Sequence, residues 1–263
     1  MCAPKPHSRK NLGKDLPLRA TRRLGLKRPS QVIVFLREPR AGLVKTRLAS
    51  AIGARQAARL YRAFVQDTLH AAASLSGADL EVRFTPSLAK RSRILSLAPR
   101  GSRRRWVLRP QSTGGLGERL SRAARDAFRQ GAASVILLGS DCPLLGSGEL
   151  KAADNALRRN DVVLGPARDG GYYLIGLSRP APGLFRNVPW STPEVLGKTL
   201  ERAEALGLTI ALLRELPDVD TLGDLIDLRS RLCRLAGRGA SVPRATHRAV
   251  EAWARGGSIP HFL

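Results

Sequence analysis

The stretch Val135-Ile136-Leu137-Leu138-Gly139-Ser140-Asp141-Cys142-Pro143 decides the fold, because four apolar residues in a row stop abruptly at one carboxylate. The run is too short for a buried helix and is bounded by Gly and Pro. It therefore reads as a strand buried on both faces of a parallel sheet. Asp141 then stands at the carboxyl end of that strand. In open α/β sheets ligands bind in the crevice beyond the strand ends, so an acid there is a candidate for holding a metal ion or a ligand hydroxyl. It is equally a candidate cap for the turn or helix that follows.

Outward from this strand the pattern alternates. Strands are expected at 32–36, 80–84, 106–108, 162–164, 172–177 and 209–213. Helices are expected at 55–73, 88–97, 117–130, 149–158 and 193–206, with Pro193 at the first helical position, and a final helix opens at Thr221 and runs to about 235. Strands alternating with helices imply an α/β, Rossmann-like, doubly wound and mostly parallel sheet. Residues 1–30 mix Pro, Gly, Lys and Arg without periodicity and read as a disordered basic arm. The domain spans 31–236, with 237–263 as a C-terminal extension.

The 263 residues carry a formal charge of +24, which invites a nucleic-acid reading. The distribution argues otherwise. Nine Lys or Arg face only Asp15 in the first thirty residues, and the run from Arg83 to Arg109 contains no acid, yet aromatic residues are not interleaved with either. No base-stacking platform is visible. Most of the excess reads as solvated surface, with salt-sensitive attraction to polyanions as the lesser reading. No apolar run is long enough to span a bilayer, and no secretion signal is present, so a soluble cytoplasmic protein is expected. Cys2, Cys142 and Cys233 are odd in number and widely spaced, which indicates neither a disulfide framework nor a zinc cluster.

Four segments carry candidate chemistry. Residues 37–48 follow the first strand and read REPRAGLVKTRL. They lack the Gly directly before Lys-Thr that a Walker A loop needs, but the turn at Gly42 delivers Lys45 and Arg47, and also Arg40, near the strand end. Such cations suit nucleotide phosphates, Arg by bidentate grip and Lys as a point charge. The alternative is a set of basic residues opening a surface helix. Residues 111–120 place Gly114 and Gly117 ahead of a helix, fitting either contact with a base or phosphate or a plain loop and N-cap. In 161–176 the sequence Asp169-Gly170-Gly171 is strong turn chemistry between two strands. The turn is an ordinary hairpin or one that projects Asp169, Gly170 and Tyr172 over an acceptor pocket. In Pro217-Asp218-Val219-Asp220-Thr221 two carboxylates separated by one residue point the same way if extended, which suits shared coordination of Mg²⁺ or Mn²⁺. Asp220 or Thr221 can also cap the last helix.

Taken together, VIVFLREPRAGLVKTRLA (32–49), GGLGERL (114–120), VILLGSDCPLL (135–145), DVVLGPARDGGYYLIGL (161–177), FRNVPWSTPEVL (185–196) and LPDVDTLGDL (216–225) resemble, in order and spacing, a bacterial family of glycosyltransferase A-type proteins. Its nearer relatives are the molybdenum-cofactor and phospholactate guanylyltransferases. The resemblance covers roughly residues 31–228. It implies a nucleotide-diphospho-sugar transferase fold, a divalent metal, and a donor that is a nucleoside triphosphate or nucleotide sugar. By position Asp141 looks like the metal-binding acid after the central strand, Asp218 and Asp220 like the acidic pair completing the site, and Lys45 and Arg47 like the triphosphate-facing cations. Two positions depart from the family: Arg37 stands where Lys is usual, and Gly115 where Asp is usual.

The resulting expectation is a metal-dependent transferase acting on a small acceptor, with nucleotidyl transfer slightly favoured. Catalytic roles fall to Asp141, Lys45 and Arg47. Glycosyl transfer is the alternative, and so is a non-catalytic nucleotide- or polyanion-binding protein whose binding needs the basic arm.

Overall fold

A computed structural model describes residues 29–99 and 106–256. The expected basic arm lies outside them except for its last two residues. The first strand, β1 (Gln31–Arg37), is followed by α1 (Thr46–Ile52), α2 (Ala54–Ser74), β2 (Asp79–Thr85), α3 (Arg91–Leu95), β3 (Trp106–Pro110), α4 (Leu116–Arg129) and β4 (Val135–Leu138). The second half contains α5 (Ser147–Ala156), β5 (Val162–Pro166), β6 (Tyr172–Leu177), α6 (Val195–Ala205), β7 (Ile210–Leu212), α7 (Leu222–Gly237) and α8 (Arg244–Arg255).

The strands form one seven-stranded sheet in the order β3-β2-β1-β4-β6-β5-β7. β6 runs antiparallel to both its neighbours, and every other pairing is parallel. The chain winds one way from β1 through β2 to β3 and then returns to β4 on the other side of β1. That reversal opens a crevice beyond the carboxyl ends of β1 and β4.

The decisive run behaves as read. All four residues of β4 are buried, with Ile136 and Leu138 on one face of the sheet and Val135 and Leu137 on the other. β1 divides the same way, Val32, Val34 and Leu36 against Ile33 and Phe35, because successive side chains alternate across a strand. The larger apolar layer takes Phe64 of α2, Leu150 of α5, Leu228 of α7 and Trp253 of α8; the smaller takes Ala123 of α4 and Ala203 of α6. Each fully buried Leu or Phe side chain among these stabilises the fold by roughly 1.5–3 kcal/mol before entropy is counted.

Two expectations are corrected. The helix opening at Thr221 is not the last, since α8 follows it, packed through Val250 and Trp253 into the larger layer. The backbone N–H groups of Ala245 and Thr246 at its start donate to the Asp67 carboxylate of α2 at 3.1 and 2.7 Å. Helix α6 begins at Val195, after a turn that contains Pro193; residues 46–52 form α1 with Lys45 at its N-cap, so the basic residues do open a helix, the alternative offered for this segment. Within the acid-free run one arginine is an exception to the mostly solvated reading. Arg83 is buried against Glu81 and reaches Asp126 at 3.2 Å, so strand alternation supplies the acid from within β2. Residues 100–105 of that run lie outside the described part.

Candidate active site

The loop leaving β1 is anchored before it reaches the crevice. Glu38 is buried, its N–H donating to the Thr85 carbonyl at 2.7 Å and its carboxylate accepting from Arg93 at 3.3 Å. Arg37 donates to the Leu43 carbonyl at 3.3 Å, and Val44 is buried. Lys45 then adopts φ 49°, ψ 50° at the N-cap of α1. A left-handed conformation costs a non-glycine residue about 1 kcal/mol, and such strain persists where surrounding contacts over-determine it.

Those contacts are ionic. The Lys45 side chain is only 4% exposed, and its Nζ forms ion pairs with Asp141 and with Asp220, the second at 2.8 Å. Burial alone would lower its pKa, but the charges of Asp141 and Asp220 outweigh burial and raise it. Both carboxylates remain about half exposed, so the group forms the floor of an open crevice with acid at its surface.

Beneath the ammonium lies Tyr61 of α2, its ring centroid 5.9 Å from Nζ. Its hydroxyl is within 2.8 Å of Ser140 Oγ and accepts the N–H of Arg37 at 3.1 Å. Burial, helped by the Asp141 charge, pushes the Tyr61 hydroxyl up to about 12. Tyr61 thereby ties the end of β1 to the residue preceding Asp141. In the sequence it was indistinguishable from the other apolar-phase positions of α2, and only its unpaired hydroxyl hinted at a partner.

The acidic segment is extended as expected. Val219 is fully buried between Asp218 and Asp220, which turns both carboxylates outward, and its N–H donates to the Asp141 carbonyl at 3.2 Å. Leu216 bridges to Ala167 in parallel and holds the segment to the sheet. Thr221 caps α7, with its Oγ1 accepting from the Asp224 N–H at 3.3 Å, while the Asp224 carboxylate accepts the N–H groups of Asp220 and Thr221. Thr221 therefore does the capping, and Asp220 is left to face Lys45. Burial and then the Asp169 charge raise the pKa of Asp218, which brings the 161–176 hairpin turn into the electrostatic field of the site.

The remaining candidates divide. Arg40 and Arg47 are exposed beside the Lys45 loop, and Gly42 has φ +80° at its turn. Asp169 is exposed and accepts the Gly171 N–H at 2.9 Å. The structure redirects Tyr172, which packs edge-on against Trp190 at 6.2 Å in the smaller apolar layer. A Cβ at Gly117 would sit 2.3 Å from Trp190 Nε1, and one at Gly170 2.2 Å from the Pro193 carbonyl oxygen. The close approach at these two glycines is therefore to protein. At Gly114 the neighbour is the Glu118 carboxylate, which also accepts the Gly115 N–H at 3.2 Å and so covers the start of α4.

Among the described residues, no three His, Cys, Asp or Glu side chains converge on a metal position, so Asp218 does not join Asp141 and Asp220 as the expected acidic trio. Asp141 and Asp220 nevertheless already share one cation, the Lys45 ammonium. Mg²⁺ is commonly held by one or two carboxylates with water and substrate phosphates completing the shell, so this donor pair fits such an ion. Among the described residues no helix is long and apolar enough to cross a membrane.

Comparison with known proteins agrees with this fold. Residues 68–192 match the family model described as "Uncharacterized protein conserved in bacteria (DUF2064)". A provisionally assigned nucleotide-diphospho-sugar transferase from Desulfovibrio desulfuricans G20 is 34% identical, with 88% of this chain and 98% of that one covered and a TM-score of 0.75. At fold level the chain is also similar to a CMP:2-keto-3-deoxy-manno-octonic acid synthetase complexed with CTP (14% identity, 78% and 99% covered, TM-score 0.50). A 4-diphosphocytidyl-2C-methyl-D-erythritol synthase is similar to the same degree (12%, 78% and 99%, 0.51). No curated protein matches. With about a third of aligned positions identical along nearly the whole of the Desulfovibrio protein, the chain belongs to this DUF2064 family and has the nucleotide-diphospho-sugar transferase fold.

Proposed function

We propose that the protein is a metal-dependent transferase using a nucleotide-activated donor, and that its reaction is nucleotidyl transfer from a nucleoside triphosphate to a small acceptor. One observation carries this reading: the buried ammonium of Lys45 is held between Asp141 and Asp220 at the reversal point of the sheet. A buried cation flanked by carboxylates is where a divalent ion and a chain of phosphates can be accommodated together.

Asp141 and Asp220 would hold Mg²⁺ or Mn²⁺, which when bound neutralises phosphate charge. Lys45 supplies a fixed point charge that needs no solvent reorganisation as negative charge moves onto the leaving group. Arg47 and Arg40, exposed beside it, are free to grip terminal phosphate oxygens. Tyr61 keeps the ends of β1 and β4 in fixed relation, so the cation and Asp141 stay aligned. In the transfer, an acceptor oxygen bonds to the α-phosphorus, the bond to the bridging oxygen breaks, pyrophosphate departs and the acceptor proton passes to solvent. The protein contributes position and charge.

Glycosyl transfer from a nucleotide sugar uses the same grip, and the name given to the Desulfovibrio relative favours it. The two are separated by product. Nucleoside triphosphates and nucleotide sugars are first screened for Mg²⁺-dependent thermal stabilisation. With the donor so found, release of pyrophosphate supports nucleotidyl transfer, and release of nucleoside diphosphate replaces it with glycosyl transfer. Stabilisation by neither class overturns the transferase reading.

A further inference from the structure

Beside α7 opens a cleft of about 310 Å³, walled in part by the residues that lead into Asp218. Leu144, Leu216, Pro217, Leu235 and Pro243 supply apolar wall, and the basic lining is Arg214, Arg231, Arg234 and Arg238. Arg214 is satisfied by Glu149, its Nε donating at 2.7 Å, and the one acid of the lining, Glu215, lies 3.8 Å from Arg168. Among the described residues, Arg231, Arg234 and Arg238 have no ion-pair partner.

Their spacing of three and four puts these guanidiniums on one helix face, where like charges repel. A last-turn arginine complements the helix dipole, which explains the sign at Arg234 and Arg238. It explains neither the convergence of three cations on one concavity nor the lack of a counter-charge. Arg231 lies nine residues beyond the start of α7, roughly 13 Å along its axis from the residue that follows the acidic segment.

We propose that this cleft is a second ligand site, binding a small organic phosphate whose phosphoryl group is gripped by Arg231, Arg234 and Arg238 while its apolar body lies on Leu216, Pro217 and Leu235. Guanidinium matches phosphate bidentately, and the volume sits at the lower end of small-molecule sites. The inference does not depend on the proposed reaction.

The test is calorimetric titration of the full chain with phenyl phosphate and with inorganic phosphate at fixed salt. Four proteins are compared: wild type, Arg231→Gln/Arg234→Gln, the charge-matched Arg125→Gln/Arg129→Gln on α4, and Arg47→Gln in the crevice. Phenyl phosphate is expected to bind wild type more tightly than inorganic phosphate and to weaken about tenfold or more in the α7 pair only. Equal losses in the two charge-matched pairs, loss with Arg47→Gln alone, equal affinity for the two probes, or no saturable binding overturns the site. Thermal melting accompanies each titration, and Arg238→Gln carries the same expectation should the α7 pair melt early.

Discussion

Lys45 Nζ donates to Asp220 Oδ1 at 2.8 Å across 175 positions of sequence. The same ammonium pairs with Asp141, so one cation joins the loop after β1, the end of β4 and the segment before α7. Replacing Asp141 by Asn keeps shape and removes charge. Turnover is expected to fall by about a hundredfold or more, as loss of a central electrostatic group does. Near-normal rates in that variant, measured at saturating Mg²⁺, would remove Asp141 from the metal site.

The Lys45 and Tyr61 shifts set an alkaline limit on stability. Both groups have folded pKa values raised above their unfolded ones, by the carboxylates for Lys45 and by burial for Tyr61. A raised value stabilises fully below the unfolded pKa and is lost as pH rises through the folded one. Urea midpoints are therefore expected to fall from about pH 10 upward, where unfolded Tyr and Lys begin to titrate. Tyr61→Phe should flatten the part of that decline lying below the tyrosine's value of about 12. An unchanged alkaline slope in Tyr61→Phe would show that the hydroxyl has no share in it.

Gly117 and Gly115 separate a packing glycine from an open one. A Cβ at Gly117 meets the Trp190 indole, whereas at Gly115 nothing lies within 4 Å. Gly117→Ala should cost about 1–3 kcal/mol in urea unfolding, the usual result of overpacking. Gly115→Asp, restoring the acid usual in the family, should fit without a clash and change stability by only a few tenths of a kcal/mol, roughly the difference between Gly and Asp at an N-cap. Similar losses in the two variants would contradict this placement of Trp190.

Much of this was readable in the sequence because its signals were strong and local. The unbroken apolar run of β4 marks a strand buried on both faces, the Asp-Gly-Gly sequence marks a turn, and the Asp-Val-Asp alternation follows the two-residue period of an extended segment. What escaped was decided by tertiary contact. The left-handed conformation of Lys45 at the N-cap of Thr46–Ile52 is one that no propensity anticipates. Tyr61 and Trp190 look like core aromatics until their partners are known, and Tyr172 was drawn toward the crevice by a turn that in fact sends it under Trp190. Helix α8 takes its cap from Asp67 of α2 and not from a neighbour in sequence.

That borrowed cap is measurable. Asp67→Ala leaves two N–H groups at the start of α8 without their acceptor and should lower stability by about 1 kcal/mol. Hydrogen exchange should show faster opening confined to α8 and the facing part of α2. Unaltered protection of α8 would mean that Val250 and Trp253 hold the helix without the cap.

The described cysteines should differ sharply toward alkylation. Cys142 is buried, and burial followed by the Asp141 and Asp218 charges pushes its thiol well above the ordinary value, whereas Cys233 is exposed. Peptide mapping after brief iodoacetamide treatment of folded protein should find Cys233 modified and Cys142 intact, since the thiolate is the reactive form. Comparable labelling at the two positions would contradict the closed packing behind Asp141.

The hydrogen bond between Leu216 N–H and the Pro166 carbonyl, at 3.0 Å, fastens the acidic segment to the strand pair beyond the antiparallel β6. Lys45 hangs from the opposite half of the sheet. No shorter fragment ending before residue 216 therefore contains the ion-pair floor, however well its own strands associate. Contacts so distant in sequence form at high entropic cost during folding. Occupancy of the crevice by any ligand thus reports completion of the whole sheet, and should protect the two halves together as one cooperative unit.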